Sequence, residues 1–174
     1  MYSYFEMPET FFDNLRYENN FVKTFLILIL TGIIVGLTSN VFQLFSNFWP
    51  TFLSSFFVSI AGILAISFAY NLVMKIILKS GNLKGCINSF AYPLFILSIG
   101  FLFSSLLILI PSLGNLFAII ILSFSLIISV SLTFLALMRN YDESFIHVFL
   151  VFLIINVLPA LGSLLINFIS LMGV

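Results

Sequence analysis

Charge is scarce in this chain: six basic and six acidic side chains among 174 residues, with a formal net charge of zero. A nucleic-acid partner is excluded, because binding one needs a basic face to offset phosphates. One cysteine, Cys86, rules out an intrachain disulfide and a cysteine-type metal cluster. It is expected as a free thiol, and its place beside an apolar stretch would permit acylation. The single histidine, His147, has only Glu143 near it in sequence, too few ligands for a metal. Also missing are paired carboxylates within the apolar stretches, a serine flanked as in a nucleophile elbow, and a phosphate-binding glycine loop. No catalytic residue is assigned, no cofactor is expected, and the chain reads as a non-enzyme.

What is present is apolar surface. Hydrophobic residues make up 62% of the chain, and 23 of the 174 residues are phenylalanine. A mean hydropathy of +1.28 marks an integral membrane protein. The charges fall in three clusters, and between them lie uncharged runs from Thr24 to Met74 and from Gly85 to Met138, with a last run from Ser144 to Val174. A bilayer core about 30 Å thick is crossed by roughly 20 apolar residues as helix, so each long run fits a hairpin that crosses and returns, and the last fits one crossing. The fold class is therefore all-α and polytopic, with five transmembrane helices at about 21–39, 51–74, 88–110, 115–138 and 144–172.

Because a hairpin returns the chain to the side it left, all three charged clusters share one face of the membrane. Every basic residue belongs to them: Arg16 and Lys23, then Lys75, Lys79 and Lys84, then Arg139. The positive-inside rule makes that face cytoplasmic, with the N-terminus in and the C-terminus out. Residues 1–20 read as a cytoplasmic amphipathic segment in which Phe11, Phe12 and Leu15 share a helical face, and residues 21–174 as the membrane domain. Four acidic residues precede the first span and no small-residue cleavage pattern follows it, so the first helix is expected to be retained as the anchor. External turns are expected around Asn40 to Pro50 and at Pro111 to Asn115, and cytoplasmic loops at Lys75 to Gly85 and Arg139 to Glu143.

Polar and small residues inside the spans form three patterns. Gly32 and Gly36 make a GxxxG on the first span, and Ala61, Ala65 and Ala69 a small-residue stripe on the second; both read as helix packing, with a homo-oligomer contact as the alternative. Ser125, Ser129 and Thr133 recur every fourth residue on the fourth span, and with Asn156 form a candidate polar seam, although serine and threonine also bond back to their own helix. His147 follows Glu143 by four residues, so the two meet on one helix face near the start of the fifth span. Pro159 is expected to kink that span.

At the second cytoplasmic loop the residues Gly81-Asn82-Leu83-Lys84-Gly85-Cys86 are followed by Asn88-Ser89-Phe90-Ala91-Tyr92-Pro93. This layout resembles the Yip (Ypt-interacting protein) domain family, and the Pro8 to Leu15 segment is similar to the start of its small prokaryotic members. The resemblance implies five spans, a cytoplasmic N-terminus, and no catalytic residues. It implies structural or partner-facing roles for Lys84, Gly85, Tyr92 and Pro93, with Tyr92 at the headgroup boundary and Pro93 in the first turn of its helix. Longer members act in vesicle trafficking with Rab-type GTPases through an N-terminal region that is a stub here. The expectation is a multi-pass membrane-organising or partner-binding scaffold, in the cell membrane of a prokaryote or an internal membrane of a eukaryote. Lys75, Lys79, Lys84, Gly85, Tyr92, Pro93, Phe11 and Phe12 are then offered to lipid or a cytoplasmic protein. A small transporter or permease subunit for a neutral or apolar solute is the alternative.

Overall fold

The computed structural model describes residues 21–42, 47–79, 81–110 and 113–156. These residues hold five helices and, among them, no strand: α1 (Phe21–Phe42), α2 (Phe48–Leu78), α3 (Leu83–Ile108), α4 (Gly114–Tyr141) and a shorter α5 (Phe145–Asn156). The first four are long and apolar enough to cross a membrane. At 1.5 Å per residue even α1, with 22 residues, reaches roughly 33 Å, against a hydrocarbon core of about 30 Å. The 31 residues of α2 exceed that thickness and require tilt or projection beyond it. Phe11, Phe12, the amphipathic segment 1–20 and Pro159 lie outside the described residues.

Successive helices run antiparallel. Gly32 of α1 faces Phe56 of α2 while Gly36 faces Phe52, and Gly85 of α3 faces Asn140 of α4 while Gly100 faces Ser125. α3 is the central element, packed on α1, α2 and α4. Thr24 meets Asn88 near the starts of α1 and α3, which sets those two helices parallel. The core gathers where α2 ends, α3 begins, α4 ends and α5 begins: Tyr70, Met74, Cys86, Phe90, Leu137, Tyr141, Val148 and Val151 pack as one cluster. Outward faces carry Phe57, Val58, Ile119 and Ile127, each exposed, as a surface in hydrocarbon demands.

Several boundaries differ from the sequence expectation. α2 begins at Phe48 rather than near Thr51, so Trp49 and Pro50 sit in its first turn instead of a loop. Proline is tolerated there because the first turn has no internal acceptor for its missing donor. α3 begins at Leu83 rather than Asn88, because Asn82 caps it: its side-chain oxygen accepts from the Gly85 amide at 2.6 Å. Pro93 is therefore interior to α3 and not in its first turn, and it removes the bond to the Ser89 carbonyl. α4 continues to Tyr141, so the loop read as Arg139 to Glu143 shrinks to the residues after Tyr141. Lys75 likewise lies on α2, and Lys79 is its left-handed C-cap with φ 57°.

The Ala61, Ala65 and Ala69 stripe is a correction of a different kind. α2 buries Ile63, Ser67, Tyr70, Asn71 and Met74, and the three alanines are exposed on another face. Spacing alone identified a close-packing stripe, whereas the inward face of α2 is chosen by residues that bond or pack across helices. Gly32 and Gly36 do face a neighbour: a Cβ there would stand 2.7 Å from the Phe56 ring and 2.8 Å from the Phe52 ring.

A side chain at Gly36 would force the Phe52 ring aside, whereas a Cβ at Gly62 meets nothing within 4 Å. Gly36→Val should therefore destabilise the protein by about 1–3 kcal/mol, and Gly62→Ala should be neutral or stabilising by about 0.5–1 kcal/mol. Thermal unfolding of the two variants in detergent checks the contrast.

Candidate functional site

Within hydrocarbon a backbone or side-chain polar group has no water to turn to, so a cluster of buried amides and hydroxyls must be closed by the protein itself. One such cluster occupies the charged end of the bundle, and it draws on all five helices. Thr24 of α1 donates to Asn88 Oδ1 at 2.5 Å. Tyr141 of α4 donates to Asn71 Oδ1 of α2 at 3.1 Å. Asn156 of α5 donates to the Tyr70 hydroxyl of α2, and also to the Phe152 carbonyl at 2.9 Å. The Cys86 thiol of α3 donates to the Ser67 carbonyl of α2 at 3.2 Å and lies against the Tyr141 hydroxyl. Asn140 donates to the Asn82 carbonyl at 3.2 Å.

The glycines of the Gly81 to Gly85 motif make this closure possible. Gly81 has φ +78°, a backbone region that other residues adopt only with strain, and a Cβ on it would enter the Tyr141 ring. Gly85, in the first turn of α3, abuts the Asn140 carboxamide so closely that a Cβ would overlap Oδ1. That oxygen is buried and has no conventional partner, and the Gly85 Cα hydrogen stands in the direction of the missing Cβ, where a weak C–H···O contact is the interaction available. The Tyr70 and Phe90 rings meet at 4.8 Å, tilted by 60°, beside the knot.

The expected partner-facing residues divide on burial. Lys75 and Lys79 are exposed and Lys84 is half-buried at the start of α3. Gly85 and Pro93 are buried, and Tyr92 packs half-buried against Ala136 of α4 with Leu132 and Leu135. Gly85 and Pro93 are thus packed inside the bundle, while Tyr92 keeps part of its surface exposed. Cys86 is fully buried, which removes the expectation of acylation. The structure also separates the residues proposed as a polar seam. Ser125 and Thr133 donate to carbonyls of their own helix at 2.8 Å, Ser129 is buried on the same helix, and Asn156 bonds to α2 instead. Glu143 and His147 meet at 2.7 Å on an exposed face at the start of α5.

Two features were not anticipated. Tyr141 and Asn140, expected in a loop, are buried at the centre of the knot in the last turn of α4. The second is a cleft of about 440 Å³ between α1, α2 and α3, on the side of the bundle away from the charges. Among the described residues no group of three or more His, Cys, Asp and Glu side chains is placed to hold a metal. No protein-family profile, curated protein or solved structure matches this chain.

The knot makes two tests available. Tyr141→Phe leaves Asn71 with a buried acceptor and no donor, and should cost about 1–3 kcal/mol of stability. Gly85→Ala should be more damaging than its size implies, and adding Asn140→Ala should restore part of the loss, because it removes the group the new methyl strikes. Unfolding midpoints of the single and double variants give the coupling; simple additivity would show that the two residues do not meet.

Proposed function

We propose that this chain is a non-enzymatic membrane scaffold of Yip-like type that organises membranes or binds cytoplasmic partners through its charged end. In this reading five spans cross the cell membrane, with the N-terminus cytoplasmic and the C-terminus outside. The observation that carries it is the segregation of charge. Every charged residue among those described, Lys23, Lys75, Lys79, Lys84, Arg139, Asp142 and Glu143, stands at the same end of the bundle. Across the whole chain six basic residues balance six acidic ones, but Lys75, Lys79 and Lys84 form a local basic cluster that favours anionic lipid headgroups or an acidic protein surface. The polar knot directly beneath holds the ends of α2, α3 and α4 together, so this charged surface is presented on a rigid base. In this reading Phe11 and Phe12 insert beside it, and the outward Ala61, Ala65 and Ala69 stripe is where a second copy packs.

The transporter reading needs a continuous polar path through the bundle. Ser125 and Thr133 spend their donors on their own helix, and Asn156 is taken up by Tyr70, so no observation favours that path.

A photoreactive residue at Leu83, which is exposed beside the basic cluster, tests the scaffold reading in intact cells. The expected outcome is reproducible capture of a cytoplasmic protein or anionic lipid that falls at least fivefold when Lys75 and Lys79 are both replaced by glutamate. Capture that ignores the charge reversal counts against it. Topology has its own measurement: a cysteine at Lys79 should react with a membrane-impermeant maleimide only after permeabilisation, against the low background that the buried Cys86 provides.

A further inference from the structure

The cleft between α1, α2 and α3 is lined by apolar side chains and five hydroxyls, and the five hydroxyl donors are already committed. Thr31, Thr38 and Ser39 of α1 donate to the carbonyls of Ile27, Ile34 and Val35 at 2.8, 2.8 and 2.9 Å. Ser59 of α2 donates to Phe56 and Ser98 of α3 to Phe95, at 2.8 and 2.7 Å. None of these hydroxyls has a donor left for a ligand, and no charged residue lines the space. What faces the space is an apolar wall with acceptor lone pairs on five hydroxyl oxygens and no donor, a poor match for a cluster of water.

Depth narrows the occupant further. Counted at 1.5 Å per residue from Lys23, Lys75 and Lys84, the lining lies roughly 12 to 25 Å from the charged end, within the hydrocarbon layer of a bilayer whose core is about 30 Å thick. The floor of the cleft is Gly62, and a Cβ there would meet nothing within 4 Å. A mid-helix glycine with open space above it forgoes helix propensity without making room for any neighbour in this chain. The space it leaves is continuous with the cleft.

We propose that this cleft is a binding site for a phospholipid acyl chain, held by apolar contact along α1, α2 and α3 with its headgroup outside the cleft. Volume, lack of donors and depth all match a single hydrocarbon chain, and pockets for such ligands fall in this size range. The site lies on the opposite half of the bundle from the charged surface and stands independently of the scaffold reading.

The test uses the full chain reconstituted in phosphatidylethanolamine and phosphatidylglycerol vesicles doped with a phospholipid carrying a diazirine in mid-chain. After irradiation, mass spectrometry should find adducts on Leu97 and Phe101 in excess of those on the outward-facing Phe57 and Ile127. Gly62→Leu, which fills the cleft from its floor, should lower the Leu97 and Phe101 adducts at least tenfold and leave Phe57 and Ile127 unchanged. Leu97→Trp fills it from the α3 wall and should likewise suppress labelling at Phe101. Labelling at Leu97 and Phe101 no greater than at Phe57, or labelling that both filling variants leave intact, would overturn the proposal and leave ordinary annular lipid as the explanation.

Discussion

Hydrogen bonds that cross between helices in the buried interior hold this structure together at its charged end. In water a Tyr141 hydroxyl or an Asn71 amide released from its partner would find a solvent molecule, and the net value of the bond would be small. Buried among five helices the alternative is an unsatisfied group, so each of these residues ties its helix to a particular neighbour. Thr24 to Asn88, Tyr141 to Asn71, Asn156 to Tyr70 and Cys86 to Ser67 together connect α1 to α3, α4 to α2, α5 to α2 and α3 to α2. Apolar contact alone would specify these pairings poorly, since a leucine is as content against lipid as against another helix.

The two halves of the bundle are built differently as a result. At the charged end, large side chains such as Tyr70, Met74, Phe90 and Tyr141 fill the interior, and glycines at positions 81 and 85 admit the bulk of Tyr141 and Asn140. Farther along, contacts are made by small residues. Gly100 accepts Ser125, Ser104 donates to the Ala118 carbonyl at 3.0 Å, and the room left between α1, α2 and α3 is the apolar cleft. One end is charged and tied by polar contacts, and the other half is open and apolar.

Legibility from sequence follows physical range. Charge spacing identified four of the helices as long apolar segments, because burying or exposing charge in hydrocarbon is a coarse effect with large energies. Helix boundaries depend on local chemistry: Asn82, whose side chain accepts from the Gly85 amide, caps α3 and moves its start by more than a turn. Pro93 is then buried in the helix interior and Tyr92 half-buried. The Ala61, Ala65 and Ala69 stripe was legible as a pattern, yet its direction was not, since a small-residue face packs equally well on a neighbour in the chain, on lipid or on another copy.

The sequence by itself determined long apolar helices separated by three clusters of charge, because hydrophobicity and charge act through composition and need no knowledge of neighbours. Tertiary structure alone decided which polar residues meet. Asn71 and Tyr141 are 70 positions apart, and Tyr70 and Asn156 are 86 apart; nothing local pairs them. The cleft is likewise a property of three helices at once. Its walls come from ordinary leucines, threonines and serines whose spacing on any one helix is unexceptional, and only their arrangement leaves a space that a hydrocarbon chain fits.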